Sequence, residues 1–410
     1  MPAAIGNMPR EKILLTEGSS LTVRETLTAL ASCGYEVHVL TCARLPLCLF
    51  SRWRSKIVRT VDANEQPLAY LRHVARLVED EDYAAVLPTH EQAWLLAEGA
   101  SLLPAEAPVA VASAEAFRRA QSKVRFAELL DELGLPQPAW RLLDEEGGHL
   151  PFPYWVKAEF GTAGRSTRRV ADEAQMRAAA AELSSGGGRL MAQEEAPGSY
   201  GQVAGLFDHG RLAAVHTTVQ AGVGAGNSAA ARRSVDFPET RRHIEAVGER
   251  LRWHGPLTLD FLHVDGHPRY LECNPRMVEP GNAAVAGVNF PALLVELSSK
   301  GRLNDGLRVG AAGVETRSLQ ALLLGAAESS GTRRAVLRTL GRYVGGKGGA
   351  EVLTPVRADP PSLVPIAVVL ARLLADPRSV AGIAAGAVRD YSVRPDAIDK
   401  LRRAVAAEDA

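Results

Sequence analysis

Lysine is scarce in this sequence. Seven occur in 410 residues: Lys12, Lys56, Lys123, Lys157, Lys300, Lys347 and Lys400. The other basic residues are arginine, and 47 basic side chains are matched by 47 acidic ones. A dedicated nucleic-acid binder draws its affinity from an excess of basic charge, so this zero balance argues against that class. Cysteine is also rare. Cys33, Cys42, Cys48 and Cys273 form no C-x-x-C pair, and Cys42 and Cys48 have no histidine at zinc-finger spacing. The expectation is reduced thiols in a cytoplasmic protein. No apolar signal core precedes Arg10-Glu11-Lys12. The most apolar late segment, Leu363–Ala375, is broken by Arg372 and is shorter than the ~20 residues that span a bilayer. It reads as a buried or interfacial helix. No internal repeat is present.

What the chain does contain is alternation. Short apolar runs at Lys12–Glu17, Tyr35–Thr41, Lys56–Val61, Tyr83–Pro88 and Pro108–Ala112 are separated by helical patterns near Thr22–Cys33, Gln66–Val78 and Glu91–Leu103. Strands alternating with helices predict βαβ units and a parallel sheet. The first turn, Gly18-Ser19-Ser20, lacks the G-x-G-x-x-G spacing through which backbone approaches a pyrophosphate. The front part therefore reads as a substrate-side domain without a nucleotide. One or two helices follow over Ser113–Leu133, then strands at Tyr154–Ala158 and Arg189–Glu195 flanking a helix from Asp172 to about Leu183. Gln202–Phe207 and Arg211–Gln220 read as a hairpin, and the Gly- and Ala-rich Ala221–Arg233 as a mobile loop. A helix over Glu239–Arg252 precedes a second hairpin. Beyond a helix ending near Lys300, Gly301–Ala410 reads as a helical tail. The expected fold is α/β: residues 1–112 form a Rossmann-like domain, 113–300 a two-lobed α+β domain, and 301–410 a helical region.

The second hairpin carries the chemistry. Leu257–Val264 and Tyr270–Cys273 flank D-G-H-P, with Asp265-Gly266 suited to the positive φ of a tight turn. Side chains two apart on a strand share a face, so Glu272 and Asn274 point together and Asp260 on the partner strand can join them. Two carboxylates and an amide oxygen are hard donors that suit Mg²⁺ better than zinc. The competing reading is a surface hairpin with solvated carboxylates, but Glu272 sits between apolar neighbours. Arg276 would stand beside the metal, where a guanidinium can hold a phosphoryl group in bidentate fashion.

A Mg-nucleotide also needs protein cations on its phosphates. Lys157 lies on a strand just before a glycine- and hydroxyl-rich turn, Phe160–Val170, whose Gly161, Thr162, Gly164 and Ser166 can present backbone N–H groups to phosphate. Lys123, at a helix start, is a second candidate, with an ordinary surface lysine as the alternative.

These parts, in this order, resemble the ATP-grasp enzymes. The resemblance rests on Lys123 before Gly134-Leu135-Pro136-Gln137-Pro138, Lys157 before Gly161–Ser166, Gln193-Glu194-Glu195-Ala196-Pro197-Gly198, and Asp260-Phe261 with Glu272-Cys273-Asn274-Pro275-Arg276. It covers about residues 12–300 and is nearest to stand-alone carboxylate–amine ligases. It implies a pre-ATP-grasp domain over 1–112, then an ATP lobe at about 140–198 and a metal lobe at about 199–300. Lys123 and Lys157 would contact the phosphates of ATP, and Gln193, Glu194, Glu195 and Ala196 would hold adenine. Asp260, Glu272 and Asn274 would bind one or two Mg²⁺ ions, with Mn²⁺ as a substitute. Arg276 and Lys157 would act on the transferred phosphate. Two departures stand out. Cys273 replaces the usual aliphatic residue, and Ser199-Tyr200-Gly201-Gln202 stands where an acidic ribose contact is common, leaving Gln202 for that role. The implied reaction activates a carboxylate as an acylphosphate, which an amine then attacks, releasing ADP and phosphate; the alternatives are a Mg-ATP-binding partner or scaffold without turnover, and a carboxylase or phosphotransfer member of the same superfamily. The Phe160–Val170 turn and the Ala221–Ala231 loop are the lid candidates. Arg232, Arg233 and Glu279–Asn282 either face the acyl substrate or are plain surface loops. The resemblance implies small-molecule carboxylate and amine partners and leaves a homodimer open.

Overall fold

Four short strands open the chain: β1 (Lys12–Leu15), β2 (Glu36–Thr41), β3 (Lys56–Arg59) and β4 (Tyr83–Leu87). They form a parallel sheet in the order β3-β2-β1-β4. The computed structural model describes residues 10–144, 150–161, 164, 166–184, 187–346, 348–380, 382–383 and 391–408. The helix Leu21–Leu30 begins at Ser20, whose hydroxyl accepts from Val23 N at 3.0 Å. The amides of Ser19 and Ser20 donate to the buried carboxylate of Glu17 at 2.6 and 3.0 Å. An internal anion thus occupies the helix N-terminus that a pyrophosphate would use. This gives the missing glycine fingerprint its structural counterpart.

Two expectations for this region change. Pro108–Ala112 runs beside β4, and Val86 N donates to Pro108 O at 2.9 Å, yet the segment builds no ladder. A proline brings no N–H of its own. The helix expected over Glu91–Leu103 stops at Glu98 and resumes as a 3₁₀ turn, Ala100–Leu102. Between them, a Cβ on Gly99 would stand 2.3 Å from Leu71 Cδ1.

A second, antiparallel sheet has the order β5 (Trp140–Leu142), β8 (Leu190–Glu194), β6 (Tyr154–Ala158), β7 (Thr167–Val170). Tyr154, Val156 and Val170 bury one face against Met176, Ala179 and Leu183 of the helix Glu173–Ser184.

The largest sheet is built on β9 (Ser199–Asp208), β10 (Arg211–Val223), β11 (Ala229–Val235), β12 (Gly255–Val264) and β13 (His267–Asn274). The segment expected to be a mobile loop over Ala221–Arg233 is instead the end of β10 and most of β11, paired from Thr217↔Val235 to Val223↔Ala229. Small side chains hid the end of β10 and the strand β11, which pair with each other across a short turn. Residues beyond 300 also join this sheet: β14 (Arg308–Val309) pairs with β10, β15 (Glu315–Arg317) with β11, and β16 (Ala350–Glu351) with β15. The sheet therefore crosses the boundary expected at 300, and the tail is not wholly helical.

The tail returns to the front sheet. Ala397, Ile398 and Leu401 of the helix Pro395–Glu408 share a core with Leu71, Val74 and Trp94. Val393 N donates to Glu91 Oε2 at 2.8 Å, and Arg402 pairs with Glu98. Deeper still, Arg24 and Asp359 form an ion pair with side chains 1% and 0% exposed, and Asp359 Oδ1 accepts from Arg52 N at 2.8 Å. Removing one partner strands a buried charge, which costs about 3–5 kcal/mol. Chemical denaturation of Asp359→Ala should show a loss of that size. The double replacement Arg24→Met/Asp359→Leu should recover most of it, and equal losses in both proteins would mean that the ion pair is not the source.

Candidate active site

A cleft of about 650 Å³ lies between the second sheet and the large one. On β6, Trp155 and Lys157 share the face opposite the buried Tyr154 and Val156. Lys157 Nζ donates to Gln193 Oε1 on β8 at 2.6 Å. Burial, partly opposed by Glu272 and reinforced by Lys123, pulls the Lys157 ammonium down to about 8. Lys123 is the first residue of the helix Lys123–Glu132, capped by Ser122, and its amide donates to Glu159 O at 2.9 Å. Its Nζ donates to Gly161 O at 3.0 Å and stands 3.5 Å from Glu272 Oε2. Both lysines are buried, so neither is an ordinary surface lysine.

The turn after β6 depends on glycine. Gly161 has φ 143°, and a Cβ there would stand 2.3 Å from Ser166 Oγ. Gly161, Gly164 and the buried Ser166 line the cleft. Thr162 lies outside the described residues.

The opposite wall is the β12–β13 hairpin. Asp265 and Gly266 take φ 51° and 87°, the tight turn expected. Asp260 faces Glu272 in register, and a bulge after this pair leaves Leu271 as an extra residue. Leu271 and Glu272 consequently both line the cleft, although a regular strand would send them to opposite faces. Asn274 Nδ2 donates to Asp260 Oδ2 at 3.1 Å, and Arg276 Nη2 donates to Asn274 Oδ1 at 3.0 Å. Asp260 is buried and its Oδ1 has no hydrogen-bond partner. Burial and the Glu272 charge push its carboxyl well above the usual range. An orphaned carboxylate oxygen beside a second carboxylate is a site that a cation fits.

The other expected residues divide. Gln193, Glu194, Glu195 and Ala196 line the cleft, with the Glu195 carboxylate paired to Arg169 at 2.5 Å. Gln202 faces Asp260 across β9 and β12 but lines a small neighbouring pocket with Thr218, Thr258 and Glu279, away from the hinge. Its expected place at a ribose is therefore not where the strand puts it. Arg276 is buried beyond Asn274, close enough to His90 that its charge, after burial, holds that imidazole well below its usual range. Arg232 is buried and paired with Glu279 at 2.8 Å, whereas Arg233 is exposed on Glu315 at 2.9 Å. Asn282 is tied to His216 and Thr316 at 2.7 and 2.8 Å.

Four residues were missed. Trp155, Leu262 and Leu271 give the cleft apolar walls, and Tyr200 lines it beside Asp260. Leu262 lies two residues beyond Asp260 and pairs with Tyr200, so strand period was the available signal for those two.

No protein-family model matches the chain. Solved structures do. The biotin carboxylase domain of 2-oxoglutarate carboxylase from Hydrogenobacter thermophilus aligns over 74% of this chain and 73% of that one, at 14% identity and TM-score 0.58. An L-amino acid ligase from Bacillus licheniformis aligns over 72% and 75%, at 18% identity and TM-score 0.53. An ADP complex of N5-carboxyaminoimidazole ribonucleotide synthetase aligns over 84% and 90%, at 17% identity and TM-score 0.57. The chain has the ATP-grasp fold. At these identities the likeness is one of architecture.

One of those residues sets a pH dependence. To hold a phosphate Lys157 would have to be the ammonium, and its value of about 8 lies below the ordinary 10.5. Mg-ATP affinity should thus fall above pH 8, by up to about tenfold per pH unit, because binding must then take up a proton. Titration calorimetry at pH 7.5 and 9.5 reads this directly. An equally steep fall in Lys157→Met would assign it to another group.

Proposed function

We propose that the chain is an ATP- and Mg²⁺-dependent ligase that joins a carboxylate to an amine and releases ADP and phosphate. The supporting observation is the convergence of two buried lysines and a glycine-rich turn on two carboxylates, one with an unpartnered oxygen. Asp260 and Glu272 would hold Mg²⁺, with Asn274 beside them. The ion supplies charge neutralisation on the phosphate oxygens. Lys123 and Lys157 would hold the phosphates under the turn at Gly161–Ser166. The hinge Gln193–Ala196, with Trp155, Leu262 and Leu271, would hold the base.

A carboxylate attacking the terminal phosphorus faces like-charge repulsion, so the protein has chiefly to position and neutralise. The carboxylate oxygen bonds to phosphorus as the bond to the ADP oxygen breaks. The amine nitrogen then attacks the acyl carbon, phosphate leaves with the C–O electron pair, and the amine proton passes to water. Arg276 would stabilise the phosphoryl group in both steps. The acylphosphate is water-labile, which gives a closing turn at Phe160–Val170 its purpose.

A second reading takes bicarbonate as the carboxylate. It is supported by the likeness to a biotin carboxylase domain and an N5-carboxyaminoimidazole ribonucleotide synthetase. An ADP-release assay across amino acids and small carboxylates, with and without bicarbonate, separates the two. The expected result is Mg²⁺-dependent ADP and phosphate only when both substrates are present. Lys157→Ala, Glu272→Ala and Arg276→Ala should each lower kcat by about 10²–10³-fold. Release of AMP and pyrophosphate would sink the acylphosphate route.

A further inference from the structure

The corner where β9 turns into β10 gathers three metal-ligating side chains that the nucleotide cleft does not use. Asp208 ends β9, His209 follows it in the turn, and His254 immediately precedes β12. One potential ligand atom from each lies within 4.8 Å of the other two. The two imidazole rings are stacked, with centroids 4.0 Å apart and planes 14° from parallel. Asp208 and His254 are half-buried, and His209 is exposed.

The backbone holds these groups together. His209 and Gly210 take φ 50° and 95°, while Arg252 and Gly255 take 47° and 101°. His209 and Arg252 are non-glycine residues in the left-handed region, which few side chains occupy. Gly210 N donates to Trp253 O at 2.6 Å, and His209 N donates to His254 Nδ1 at 3.3 Å, so the turn and the entry to β12 are joined. That bond engages His254 Nδ1 and leaves Nε2 as the ring's other ligand atom. Asp208 Oδ2 accepts from Leu303 N at 3.0 Å and Arg211 Nη2 at 2.9 Å, which leaves Oδ1 as its other ligand atom.

We propose that Asp208, His209 and His254 bind one transition-metal ion of the Zn²⁺ class, which clips the β9–β10 turn to the start of β12. Two imidazole nitrogens and one carboxylate oxygen suit Zn²⁺ and its neighbours, whereas Mg²⁺ and Ca²⁺ prefer all-oxygen sets. The cleft offers the opposite donor set, Asp260, Glu272 and Asn274. Asp208 lies six residues along β9 from Gln202, the partner of Asp260, so the two sites are roughly 20 Å apart. Binding requires the stacked rings to splay until both lone pairs meet at the ion, and the exposed His209 has room to turn.

Equilibrium dialysis of the untagged full chain with ZnCl₂, free of nucleotide, tests this. A Glu272→Gln background weakens uptake in the cleft. One Zn²⁺ per chain is expected, with affinity lowered at least about tenfold in His209→Ala and in His254→Ala. Both histidine variants should retain wild-type Mg-ATP turnover. A second readout does not rely on the variants folding. One equivalent of Co²⁺ should give the wild-type protein visible d–d absorption, which Zn²⁺ then abolishes. Absence of Zn²⁺ uptake, or unchanged affinity in both histidine variants, overturns the proposal.

Discussion

Charge burial across the cleft is the constraint on which the site depends. Two lysines cannot be buried without counter-charge, and neither can the Asp260 carboxylate. The lysines come from the second sheet and the helix Lys123–Glu132, and the carboxylates come from the β12–β13 hairpin. Neither side is electrostatically complete alone. Lys123 makes the link directly, since one ammonium touches the Gly161 carbonyl on one wall and approaches Glu272 on the other. Asp260 remains short of a partner, and the polar groups around it are consequently arranged in a line. Asn274 bonds to it, and Arg276 bonds to Asn274. The arginine is thereby joined to the metal-ligand candidates through an amide.

The front sheet answers the same constraint differently. Its helix N-terminus is already satisfied by Glu17, so its strand ends are left to face the large sheet. Glu279 N donates to Thr22 Oγ1 at 3.3 Å and Gly281 N to the buried Glu25 at 2.7 Å. These bonds fix the segment after Arg276 against the helix Leu21–Leu30. Burial and the nearby Glu279 raise the Glu25 carboxyl, while Arg232 draws both acids toward it. The region beyond Arg276 therefore holds a second group of mutually dependent charges, next to the cleft but distinct from it.

Much of this was legible in the sequence because strand period is a local property. Asp260, Glu272 and the D-G turn could be placed on one hairpin from two-residue alternation alone, and Lys157 on a strand ending in glycine. Three features were not legible, for separate physical reasons. The bulge that turns Leu271 into the cleft depends on the pairing of two strands, which leaves no mark in composition. β11 was hidden because its small and charged residues carry little intrinsic strand preference, although its partner β10 immediately precedes it. Gln202 was placed by its distance from a glycine, whereas its facing direction is set by register with Asp260.

The tail shows the same limit at longer range. Its pairs span hundreds of residues: Arg24 with Asp359, Glu91 with Val393, Asn64 with Arg394. No local pattern encodes such partners, since each half looks like an ordinary charged or polar residue. Their effect is nevertheless specific. Val393 is held by Glu91, the residue after His90, and Tyr391 packs on the His90 ring with centroids 4.2 Å apart. His90 in turn lies within reach of the Arg276 charge. A segment near the end of the chain is thus held against the wall behind Arg276 by the loop that follows β4. The front sheet, the large sheet and the tail meet at that wall, and its shape depends on all three.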